Sequence, residues 1–110
     1  MCVFCQIIEN KIPAKKILET ERFLAFHDIN PQAPIHALVI PKEHIVNFNE
    51  MTPELMADAT EFIQRVTREL GVSEEGYRII NNCGTNGGQE VFHIHFHILG
   101  GARLKWEKLA

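Results

Sequence analysis

Residues 91–99 read Val-Phe-His-Ile-His-Phe-His-Ile-Leu, so three imidazoles alternate with large apolar groups. In an extended chain alternate side chains share a face, which puts His93, His95 and His97 on one side and Ile94, Phe96 and Ile98 on the other. Same-face neighbours then stand about 6.6–6.8 Å apart, and the Cα atoms of His93 and His97 roughly 13 Å apart. That separation disfavours one metal ion held by all three. A solvated polar face is one remaining reading, although such faces usually mix Lys, Thr and Glu. The other is a reactive row, with one histidine as nucleophile and its neighbours orienting it or binding charge. Neutral imidazole is nucleophilic near pH 7 and forms a labile bond to phosphorus, so phosphoryl chemistry suits the row.

The segment before the row, Asn82-Cys83-Gly84-Thr85-Asn86-Gly87-Gly88-Gln89, predicts a loop. Its glycines would let backbone amides approach an anion as a nest, or simply turn a hairpin. Cys83 reads there as a small loop residue. Cys2 and Cys5 form a C-x-x-C. A thioredoxin-like redox pair would expect a βαβ setting, which the pattern lacks. Two buried small hydrophobes beside Phe4 and Ile7, or half of a zinc site needing two further ligands, stay open.

Positioning these groups requires a sheet and something packed on it. Short strands are expected over 16–19, 23–27, 36–40, 77–81 and 92–99, with a two-proline loop at 28–34. The clearest helix covers 52–70: Thr52 suits the N-cap, Pro53 the first helical position and Gly71 the C′ position. Leu55, Met56, Ala59, Phe62, Ile63, Val66 and Leu70 form one apolar stripe, which predicts packing on a sheet. Phe4, Ile7 and Ile8 suggest a short N-terminal helix. The expected class is α+β, a mostly antiparallel sheet of about five strands with one long helix, in one domain spanning 1–110.

The 110 residues are 45% hydrophobic and 23% charged, which argues against disorder. No apolar run approaches the ~18 residues of a membrane span. Met1 is followed by no basic and apolar leader, so a cytoplasmic protein is expected. A net charge of −3 offers no footprint for polymeric nucleic acid, but a single nucleotide remains compatible. Three cysteines in a chain without a leader suggest a reducing compartment.

The run His93-Ile94-His95-Phe96-His97-Ile98-Leu99 resembles the signature of the histidine-triad (HIT) superfamily. Ile12-Pro13-Ala14-Lys15, Ala25-Phe26-His27-Asp28-Ile29, Pro31-Gln32-Ala33-Pro34, Leu38-Val39-Ile40-Pro41, Gly87-Gly88-Gln89 and Leu99-Gly100-Gly101 are similar to its nucleotide-binding branch. The resemblance implies a HIT-like fold, a homodimer and a purine nucleotide hydrolase of the phosphoramidase type. It makes His95 the nucleophile at the α-phosphorus, His97 the phosphate contact and His36 the support of the nucleophile. Asp28 and Ile29 match ribose and base positions, and Asn82, Gly88, Gln89 and Glu90 the phosphate-side loop. Glu90 departs from the members that carry Ser there. Trp106 matches a position that reaches the partner subunit's site. Certain bacterial members also carry a set similar to Cys2, Cys5, His44 and His93, which implies a structural zinc; no organic cofactor is expected. A dinucleoside polyphosphate hydrolase, a nucleotidyl transferase and a non-catalytic nucleotide-binding regulator are the alternatives.

Overall fold

The computed structural model describes residues 2–106. A short helix α1 (Val3–Ile8) leads into strands β1 (Lys16–Glu19), β2 (Phe23–His27) and β3 (Ile35–Pro41). A turn of 3-10 helix (Phe48–Glu50) precedes the long helix α2 (Pro53–Glu69), and β4 (Tyr77–Ile80) and β5 (Phe96–Gly100) follow. The strands form one antiparallel sheet in the order β1-β2-β3-β5-β4. This is the expected α+β architecture.

Helix α2 starts and stops where its sequence dictates. The Thr52 hydroxyl accepts the Leu55 amide at 3.1 Å, capping an orphan donor. At the other end Gly71 takes φ +73°, and the amides of Gly71 and Val72 return to the carbonyls of Arg68 and Thr67. That pattern closes the helix as a Schellman motif. Leu55, Ala59, Phe62, Ile63 and Val66 are buried against one face of the sheet.

Strand alternation sorts the rest. Phe23, Ala25, Ala37 and Val39 join the α2 side, together with Ile94, Phe96 and Ile98. Leu24, Phe26, Leu38 and Ile40 point the other way, where Phe4 and Ile7 of α1 cover them. Both faces of β2 and β3 are therefore dry, which is why these strands read as nearly continuous apolar runs.

The last strand is shorter than the sequence suggests. Regular pairing begins at Phe96, opposite Val39, and not at Phe92. Residues 92–95 keep the alternation without the ladder, because other groups take over the hydrogen bonds. The Ile94 amide donates to the Ile45 carbonyl at 2.7 Å, and the Asn81 side-chain amide donates to the His95 carbonyl at 2.9 Å.

Candidate active site

Across the α1 side of the sheet, over β2, β3 and the start of β5, lies a cleft of about 600 Å³. His95 and His97 form its floor with His36 of β3. Asp28 and Ile29, from the loop after β2, edge it on one side. Asn82, Gly88 and Glu90, from the loop after β4, edge it on the other. Phe4, Ile7, Ile12, Phe26 and Leu38 supply an apolar wall. The expected residues of one chain thus converge. Trp106, expected at the partner subunit's site, is 80% exposed and lies outside this cleft. Gln89 is buried beneath the loop, its amide nitrogen donating to the carbonyls of Val46 and Val91 and its oxygen accepting from the Gly84 amide.

The loop also corrects the expectation of an anion nest. The amides of Gly87 and Gln89 donate to the Gly84 carbonyl, and that of Gly88 to the Thr85 carbonyl. With Gly84 bound to Gln89, these donors are spent inside consecutive turns and do not face the cleft.

Hydrogen bonds fix the protonation pattern of the histidines. A carbonyl only accepts, so the 2.9 Å contact from His95 Nδ1 to the His93 carbonyl places the proton on Nδ1. In the neutral ring Nε2 then carries the free lone pair. The Gln32 amide donates to His36 Nδ1 at 3.0 Å, so His36 bears its proton on Nε2, 2.9 Å from His97 Nδ1. His97 accepts there and keeps its proton on Nε2. His36 therefore touches His97 and the Asp28 carboxylate, 3.4 Å away, and is linked to His95 only through His97.

Burial disfavours charge on these rings. It lowers the pKa of His95 against the pull of the His93 carbonyl, and lowers that of His36 against Asp28. His97 is pushed down to about 4 by burial and then by His95 and His36. All three are neutral at pH 7.

The first histidine of the row serves a different site. Cys2, Cys5, His44 and His93 each offer a ligand atom within 4.8 Å of the others, a group able to hold a metal ion. His93 Nε2 donates to the Pro41 carbonyl at 2.8 Å, which leaves its Nδ1 lone pair facing the cysteines. Nδ1 lies 3.4 Å from Cys2 Sγ, 3.6 Å from Cys5 Sγ and 3.2 Å from His44 Nδ1.

Two functional contacts were absent from the sequence reading. Phe4 meets the His95 ring edge-on at 5.1 Å between centroids, and Asn81 holds the His95 peptide. Phe4 stands between the two cysteines and Asn81 closes the expected 77–81 strand, positions that read as ordinary packing and a strand end.

The chain is similar to known proteins over most of its length. An uncharacterized HIT-like protein of Helicobacter pylori is 59% identical over 101 residues, covering 92% of this chain and 97% of its own. A HIT family hydrolase from Legionella pneumophila superposes with a TM-score of 0.92 at 44% identity, over 96% of this chain and 97% of its own. A histidine triad nucleotide-binding protein from Candida albicans gives a TM-score of 0.83 at 33% identity, over 89% of this chain and 73% of its own. The HIT domain model matches residues 9–104. By sequence and by fold, the chain belongs to the HIT domain family.

Proposed function

We propose that the cleft hydrolyses purine nucleotides at the α-phosphate, with nucleoside phosphoramidates as substrates and a nucleotidyl-His95 intermediate. The observation that carries this reading is the bond from His95 Nδ1 to the His93 carbonyl. It leaves Nε2 as an oriented, neutral nucleophile at the cleft floor. His97, protonated on Nε2, is a hydrogen-bond donor for a phosphoryl oxygen, and Asp28 and Ile29 hold the nucleoside. His95 Nε2 bonds to phosphorus as the P–N bond to the amine breaks, and the amine takes a proton from solvent. Water then forms the P–O bond, the bond to Nε2 breaks and a proton is released. The Legionella relative, described as a hydrolase, and the Candida relative, described as nucleotide-binding, support the assignment.

Rapid quench with labelled adenosine phosphoramidate should trap nucleotide on the protein. His95→Ala should abolish trapping and lower turnover about 10³-fold or more. Label that persists on the His95→Ala protein removes His95 from this role.

The four-ligand cluster reads as a structural zinc site. A zinc tetrahedron implies donor separations of roughly 3.3 Å between nitrogens and 3.6 Å between nitrogen and sulfur. The 3.2 Å between His44 and His93 and the 3.4–3.6 Å from the sulfurs to the rings fit it. Bound there, zinc would tie α1 to the segment carrying His95. The protein acts as a homodimer, with Trp106 extending toward the partner's site.

A further inference from the structure

The formal charges around the cleft are unusual for a site that takes a phosphorylated ligand. Among the described residues that line it there are two carboxylates, Asp28 and Glu90, and no Lys or Arg. The carboxylates are not equivalent. Asp28 accepts the Asn30 amide at 2.8 Å and stands 3.4 Å from His36 Nε2, so it is tied into the histidine chain. Glu90 is exposed and has no cationic partner among the described residues.

Topology separates the two. Asp28 follows β2 and Glu90 belongs to the loop between β4 and β5, while the sheet order places β3 and β5, with His36 and His97, between those ends. A nucleotide whose ribose sits at Asp28 and whose phosphorus sits over His95 directs its leaving group toward Glu90. We propose that Glu90 sets leaving-group specificity, favouring nucleoside phosphoramidates whose departing amine bears a second, protonated amine and disfavouring polyphosphate leaving groups. The inference rests on hydrolysis at the α-phosphate through His95.

Charge supplies the reason. The phosphoryl group of a phosphoramidate carries one negative charge, which His97 can meet with a neutral N–H donor. A polyphosphate leaving group adds several charges beside Glu90, and among the described residues lining the cleft no Lys or Arg answers them. Burial keeps His36 and His97 neutral, so they do not offset the carboxylates either. An ammonium arm on the leaving amine gives Glu90 its missing partner. At an exposed site such a pair changes affinity by up to about fivefold, and salt weakens it.

The test uses two matched substrates, adenosine monophosphate joined through a P–N bond to propylamine or to a propane diamine, with a diadenosine polyphosphate as third probe. The unmodified protein should show a higher kcat/KM on the diamine conjugate, and the preference should shrink in about 1 M salt, where the Debye length is ~3 Å. Glu90→Gln should lower the diamine-to-propylamine ratio about threefold to fivefold. Glu90→Lys should invert it and raise turnover of the polyphosphate relative to both amidates. A purely structural role for Glu90 would not reverse the order of substrates. Equal kcat/KM for the two amidates, an unchanged ratio in Glu90→Gln, or faster turnover of the polyphosphate by the unmodified protein would overturn the assignment. Turnover of neither amidate, with no nucleotide trapped on the protein, would overturn the hydrolase reading as well.

Discussion

His93 and His95 are joined by one hydrogen bond: the carbonyl of the first accepts the Nδ1 proton of the second at 2.9 Å. The side chain of His93 meanwhile faces Cys2, Cys5 and His44. One residue thus contributes its ring to the cysteine cluster and its peptide to the tautomer of the cleft histidine. Alternation makes this possible, because same-face neighbours on an extended segment are one peptide pair apart.

Asn81 clamps the segment two residues further on, at the His95 carbonyl. Its amide donates to the His95 carbonyl where the β4–β5 ladder has already ended at Ile80 and His97. Asn81→Leu should lower kcat about tenfold to a hundredfold, since small misplacement of a reacting group has that cost, with little change in KM. An unchanged rate of His95 nucleotidylation in single-turnover mixing would show that the clamp has no catalytic consequence.

Stability should depend on pH through His97. Its pKa falls from the ordinary 6.5 to about 4 in the folded chain. Above pH 6.5 folded and unfolded states both hold the ring neutral. Between 6.5 and 4 the unfolded chain binds a proton that the folded chain refuses, so stability falls as pH falls and levels off below 4. Urea midpoints across this window should slope less steeply for His97→Gln than for the parent. Parallel slopes would place the dependence on other groups.

Much of this site is legible in the residue order. The row of histidines, the caps of α2 and the C-x-x-C depend on residue type and local spacing, which a sequence displays directly. His44 and His93 join the cysteines across 39 to 91 residues and are expected there only through the family resemblance. The pairing of His36 with His97 spans 61 residues and depends on β3 lying beside β5. Asn81 and Asn82 are indistinguishable as letters; only the end of the ladder sends one to the His95 peptide and the other to the cleft. The resemblance puts Gln89 in the phosphate-side loop, and only the turns show that its side chain runs under that loop as a clip. The glycines misled for a related reason: turns tight enough to need them also use their amides.

Gly87 is a case where the turn leaves no room. A Cβ there would lie 2.4 Å from the Cys83 carbonyl oxygen and 2.9 Å from its nitrogen, both main-chain atoms that cannot swing aside. Gly87→Ala should destabilise the fold by about 1–3 kcal/mol in urea titration. A change below a few tenths would mean that the loop yields easily.

Assembly should follow from the sheet edge. Strand β4 is an outer strand, and its Tyr77 and Ile79 are 37% and 48% exposed. A copy of the chain covering this strand and α2 would protect an apolar edge. Light scattering at micromolar concentration should give the mass of two chains, and Ile79→Lys should shift it toward one. A monomeric parent protein would refute the homodimer.

The metal cluster can be separated from the chemistry by what each measurement reads. Protein purified without added zinc or chelator should contain about one zinc per chain. Four protein ligands leave no open position, so the ion would be structural and would not meet phosphorus. It would bind Cys2 and Cys5 of the N-terminal segment to His93, two residues before His95, and chelation should therefore lower the melting temperature more than the rate. Cys2→Ser should reproduce the loss of zinc and of thermal stability. It should also retain most of the His95 nucleotidylation rate at temperatures where the protein stays folded, because the His93 carbonyl belongs to the main chain and survives loss of the metal. Metal-free protein with Cys2 and Cys5 freely reactive toward a thiol reagent in the folded state would return the cluster to simple packing.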